Sequence, residues 1–109
     1  MIKWVLLLFL TIDMDSLMAQ NNNNAYQSLR AQQQSLVSIS ALTSVGDLEH
    51  LKAAFHTGLD AGLTVNQTKE ILVQLYAYCG FPRSLNGINT LMKVVEERKA
   101  MGQQDVLGK

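Results

Sequence analysis

The stretch Leu59-Asp60-Ala61-Gly62-Leu63-Thr64-Val65-Asn66-Gln67 holds a helix end and a helix start back to back. Gly62 suits the left-handed position that terminates a helix, because it has no Cβ to clash there. Thr64, with Gln67 three residues on, matches a capping box, in which two side chains satisfy orphan N–H groups of the first turn. Gly80-Phe81-Pro82 repeats the punctuation further along. There glycine breaks one helix, and proline opens the next, where its missing N–H costs nothing. These two signals predict a helix over 65–79 with a helix on either side.

Working outward, Asp47 is placed to cap a helix over 48–61 through its carboxylate. That helix carries Leu48, Leu51, Phe55 and Leu59 on one face, with Ala53, Ala54, Gly58 and Ala61 as small residues that admit a close neighbour. Gly58 inside a helix costs up to about 1 kcal/mol relative to alanine, so tight packing against it is expected. A helix over 82–101 presents Leu85, Ile88, Leu91, Met92 and Val95 and ends at Gly102. Another, over 26–43, presents Leu29, Leu36, Ile39 and Leu42. The helix over 65–79 carries two stripes: apolar Ile71, Leu75 and Cys79, and a polar ridge of Glu70, Gln74 and Tyr78 at four-residue spacing. Strand-like alternation is absent. The expected fold is all-α, an antiparallel array of about four helices with short turns.

The ends read differently. Lys3 precedes the apolar run Trp4–Ile12, and Ala19 offers a small residue at a cleavage position. Residues 1–19 therefore read as a signal peptide, too short in its apolar core to span a bilayer. The alternatives are an uncleaved anchor or a buried helix. Residues 20–25, with four consecutive asparagines, read as a disordered polar leader. The folded domain is expected over 26–102, with 103–109 as a frayed, flexible tail. The expected location is secreted or periplasmic, with no membrane attachment once the signal is cleaved. A domain this small hints at oligomerisation.

Nine basic and nine acidic residues balance to zero charge, without the clustered basic face that a nucleic-acid partner requires. The single cysteine, Cys79, excludes an intramolecular disulfide, a Cys-x-x-Cys motif and a cysteine-rich zinc site. His50 and His56 are six apart and face different directions, so they cannot chelate one metal as an i, i+4 pair could. Neither a metal nor a cofactor is expected.

The segment from Leu59 to Thr64 together with Lys69–Asn86 resembles the carboxymuconolactone decarboxylase family, in the alkyl hydroperoxide reductase D-like superfamily. The resemblance rests on a helix ending in Gly62-Leu63-Thr64, a helix carrying Glu70, and Tyr78-Cys79-Gly80-Phe81-Pro82 opening the next; it covers roughly Arg30 to Arg98. It implies an all-helical subunit assembled as a homo-oligomer, a trimer or hexamer, acting on a small molecule. Two activities occur in that superfamily, decarboxylation of a carboxylated lactone and thiol-dependent peroxide defence. Aligned on Gly62, the redox members' cysteine pair falls at Asp47 and His50, and the decarboxylase-like histidine at Ala54.

Glu70 is the first candidate for catalysis, because a carboxylate beside an apolar stripe can be tuned by burial to act as acid or base. The bland reading is a surface glutamate. His50 is expected to assist by meeting Glu70 across the hairpin, against a structural role. Cys79 is the third catalytic candidate, though a helix C-terminus disfavours a thiolate and favours a buried, inert thiol. Arg83 at a helix N-terminus, Tyr78 and His56 are candidates to bind substrate. The leading expectation is a carboxy-lyase on a small carboxylated lactone or organic acid. The alternatives are a peroxidase-type oxidoreductase using Cys79, a peroxiredoxin-like activity, or a non-catalytic oligomeric module.

Overall fold

The computed structural model describes residues 26, 27 and 29–109, so the expected signal segment 1–19 and polar leader 20–25 lie outside the described residues. The chain divides into Met1–Arg30 and Ala31–Lys109, and the architecture that follows is that of the second unit. It contains α1 over 31–45, α2 Leu48–Asp60, α3 Val65–Gln74, α4 Tyr76–Cys79 and α5 Phe81–Ala100. No strand occurs among the described residues. The all-α array expected from the sequence is therefore the observed fold.

The turn chemistry reads as expected. Asp47 caps α2, its carboxylate accepting from the His50 N–H at 3.2 Å. Thr64 and Gln67 close the capping box of α3 from both sides, at 3.1 Å each. Gly62 takes a positive φ of 104°, and Pro82 lies in the first turn of α5. Boundaries shift slightly: α1 continues through 45 rather than stopping at 43, and the helix expected over 65–79 is interrupted at Leu75. Close to that interruption, the Leu72 carbonyl accepts from Ser84 Oγ at 2.7 Å. A side chain entering the i→i−4 ladder is a recognised cause of a helix break.

The core joins Ile39 of α1, Leu51, Phe55 and Leu59 of α2, Val65 and Leu72 of α3, and Leu91 and Val94 of α5, with Leu63 from the intervening turn. Burying each of these aliphatic or aromatic side chains contributes roughly 1.5–3 kcal/mol. Helix α5 is the hub, packing on α2, α3 and α4.

Two buried faces differ from the sequence expectation. On α3 the buried positions are Val65, Thr68 and Leu72, while Ile71 and Leu75 are only half-buried. On α5 the buried row is Ser84, Gly87, Leu91, Val94 and Arg98, whereas Leu85 and Met92 are exposed. The reason is close approach. A Cβ at Gly87 would lie 2.9 Å from Leu72 Cδ2 and 3.1 Å from Thr43 Cγ2, so α3 and α1 pack directly on the α5 backbone. The expected tight packing at Gly58 is present too, against Leu63, Ser35 and Ile39.

The C-terminal segment also departs from expectation. The Val65 and Asn66 N–H groups donate to the carbonyls of Val106 and Leu107 at 2.9 Å, and Asn66 Nδ2 donates to the Gly108 carbonyl at 3.3 Å. The segment expected to fray thus supplies acceptors to the orphan N–H groups at the start of α3.

Candidate functional site

His50 stands in the first turn of α2, and its ring donates from Nδ1 to Asp47 Oδ2 at 2.7 Å. One aspartate therefore does two jobs: Oδ1 caps the helix and Oδ2 orients the imidazole. With the proton held on Nδ1, Nε2 is the nitrogen with an available lone pair. The Asp47 carboxyl is held below its ordinary range, first by the His50 backbone N–H and then by the His50 ring, with partial burial opposing.

His50 lines a groove of about 280 Å³ between α1 and α2. Ser35, Ser38 and Thr57 give this groove hydroxyls, and Leu42 and Ala54 give it apolar walls. Arg83 bears on the same turn from α5. A Cβ at Gly46, the residue before Asp47, would collide with the Arg83 guanidinium. The Asp47–His50 pair and Arg83 thus stand at the α1–α2 turn, while the groove runs from His50 along both helices to Ser35 and Thr57 and does not include Arg83. The turn offers a cation for a small anion and an imidazole that can move a proton.

The other expected site residues do not join this constellation. Glu70 is exposed on α3 and lines neither the α1–α2 groove nor the concavity at the end of α5, so within one chain it does not meet His50, whose partner is Asp47. Tyr78 is 87% exposed, and the polar ridge of Glu70, Gln74 and Tyr78 faces outward from the subunit. Cys79 is half-buried and its thiol donates to the Leu75 carbonyl at 3.1 Å, a contact that uses the thiol proton. His56, as its spacing from His50 predicts, points elsewhere, with Nδ1 3.3 Å from Arg98 Nη1. Arginine can only donate, so this bond requires the bare Nδ1 of the Nε2–H tautomer.

Arg98 itself escaped the sequence reading. Its side chain is only 5% exposed, and each guanidinium nitrogen has a partner. Nε donates to both oxygens of Asp105, at 3.0 and 2.9 Å, Nη2 to Asp60 at 2.8 Å, and Nη1 to His56. Asp105 raises the basicity of Arg98 most, burial opposes this, and Asp60 adds a smaller rise. The available signal was periodic: Arg98 continues the row 84, 87, 91, 94 at helical spacing. A basic residue in a last turn is so ordinary that it points nowhere by itself.

Among the described residues, no group of three or more His, Cys, Asp or Glu side chains could hold a metal ion, and no helix is long and apolar enough to cross a membrane. No curated protein and no solved structure matches the chain. The family model described as Carboxymuconolactone decarboxylase family matches residues 14–91. That range takes in α1 to α4 and the first half of α5, including the Asp47–His50 pair and the groove beside it. It stops short of Arg98 and the C-terminal segment. With more than two thirds of its length matched, the chain belongs to the carboxymuconolactone decarboxylase family.

Proposed function

We propose that this protein is a carboxy-lyase of small carboxylated lactones or related organic acids, working in the α1–α2 groove with His50 as the proton-transfer residue. The observation that carries the reading is the Asp47–His50 bond of 2.7 Å at the edge of a groove furnished with hydroxyls. Arg83, seated against Gly46, orients the substrate carboxylate. Loss of CO2 leaves its electron pair on the substrate carbon, spread into the neighbouring carbonyl as an enolate. His50 Nε2 takes up a proton from solvent and delivers it to that carbon. A hydroxyl of Ser35 or Ser38 donating to the developing enolate oxygen would lower the barrier without a cofactor, the Thr57 hydroxyl being already given to the Ala53 carbonyl. The family resemblance supports only the location: the redox members' cysteines align with Asp47 and His50 and the decarboxylase-like histidine with Ala54, and none of the three residue types is kept here.

This assignment moves the leading role from Glu70 to His50. It keeps oligomerisation as part of the proposal: Val73, Tyr76, Tyr78 and Phe81 are each more than half exposed within one short stretch, a patch that a second copy would cover. Export is retained on the N-terminal sequence alone. The family match begins at residue 14, inside the segment expected to be removed, so the mass of the mature chain tests that part directly.

The decisive assay follows CO2 release from a carboxylated lactone. His50→Gln is expected to lower kcat by about a hundredfold or more, as loss of a general acid does. Glu70→Gln is expected to leave turnover unchanged. The opposite pattern returns the mechanism to Glu70, and full activity in both variants removes acid–base chemistry at this groove.

A further inference from the structure

A second and larger concavity lies where the C-terminal segment crosses the end of α5 and the start of α3. It has a volume of about 540 Å³, within the usual range for a small-molecule site. Its apolar surface comes from Val65, Val95 and Leu107. Its charged lining residues are Lys99 and Asp105. Both oxygens of Asp105 already accept from the one Nε–H of buried Arg98. Lys99 is exposed and has no ion-pair partner among the described residues. The charged lining group left without a partner is therefore the Lys99 ammonium, and it sits beside apolar walls.

We propose that this cleft binds a small amphipathic carboxylate, with the acid group at Lys99 and the hydrocarbon along Val65, Val95 and Leu107. The wall of the site is the C-terminal strap itself. Its lining residues at 103–105 and 107 hold their positions through the Arg98–Asp105 clasp and the bonds from Val65 and Asn66 to Val106 and Leu107. Gly108 lets the strap lie against Thr64, where a Cβ would come within 2.5 Å of the hydroxyl oxygen. The site exists only while the strap is latched. It is separate from the α1–α2 groove and does not depend on that groove being catalytic, since the two share no lining residue.

The test uses the full chain, with octanoate as probe and octanol and octylammonium as controls, followed by amide chemical shifts. Octanoate is expected to shift the Val65, Lys99 and Leu107 amides saturably with a Kd of about 1 mM, the strength open to a ligand of this size. Both controls should bind more weakly. Lys99→Gln should weaken octanoate by about threefold to fivefold, the range of an exposed ion pair, and leave octanol unchanged. Asp105→Asn should accelerate hydrogen exchange at Val65 and Asn66 and abolish octanoate binding. Equal binding of octanol and octanoate, an unchanged affinity in Lys99→Gln, or no saturable shift at about ten times the expected Kd would each overturn the proposal.

Discussion

The Arg98–Asp105 clasp and the Asp47–His50 pair are bonds of similar length, 2.9 and 2.7 Å, in opposite surroundings. At the clasp the side chains are 5% and 9% exposed, while His50 is 74% exposed. Burial commits all three guanidinium nitrogens of Arg98 to the fold, joining α2, α5 and the C-terminal strap around one side chain. Exposure leaves His50 one ring nitrogen and a groove to work in. The same chemistry is committed to the fold where water is excluded and left open to solvent where it is not.

The contrast predicts how each pair fails. The largest effect on stability is expected from Arg98→Met, which keeps the bulk but leaves Asp105 without its cation. Breaking a buried pair costs about 3–5 kcal/mol, and the low end applies because Asp105 can swing out with the strap. Urea denaturation should register the loss, and hydrogen exchange should show the Val65 and Asn66 amides opening with it. A variant as stable as the parent would mean that the clasp contributes nothing net. Next comes His50→Gln, expected to lose about a hundredfold in turnover with stability within about 0.5 kcal/mol, the usual range for an exposed substitution. If its denaturation midpoint fell as far as that of Arg98→Met, the distinction between the two pairs would fail.

Gly87→Ala measures the helix contact that brings α1, α3 and α5 together. Its methyl would press on Leu72 and Thr43, and overpacking of this kind costs about 1–3 kcal/mol. The smallest effect belongs to acid. The depressed Asp47 carboxyl contributes stability that is present above its unfolded value of about 3.8 and is lost as pH falls through its lower folded value. Asp47→Ala should therefore flatten the stability profile below about pH 4 and lower the overall stability by the loss of a helix cap. A profile that keeps the parent's slope in that window would place the acid sensitivity elsewhere.

Much of the helical framework was legible from local chemistry. Thr64, Gln67, Gly62, Asp47 and Pro82 each act within a few residues of themselves, so their consequences are written in their immediate neighbours. The face that each helix buries was less legible. Leu85 and Met92 look like core residues by hydropathy, yet Ser84, Gly87 and Arg98 occupy the buried row. Close backbone approach favours small residues, and a buried cation is tolerated only where carboxylates meet it. The candidate site divided in the same way. His50, His56 and Arg83 could be picked out by residue type, but their partners could not. Asp47 was legible as a cap, and its hold on the His50 ring was not.

By itself the sequence determined that this chain is helical, where most of its helices start and stop, and that its central segment resembles the carboxymuconolactone decarboxylase family. Only the tertiary structure decided that Arg98 gathers His56, Asp60 and Asp105, that the last residues cap α3, and that Glu70 stands apart from His50 within the subunit. The physical reason is range. Caps and turns are bonds between residues three or four apart, whereas Arg98 reaches back 38 and 42 residues to Asp60 and His56. Such a meeting depends on how the helices pack, and packing is a property of the whole chain.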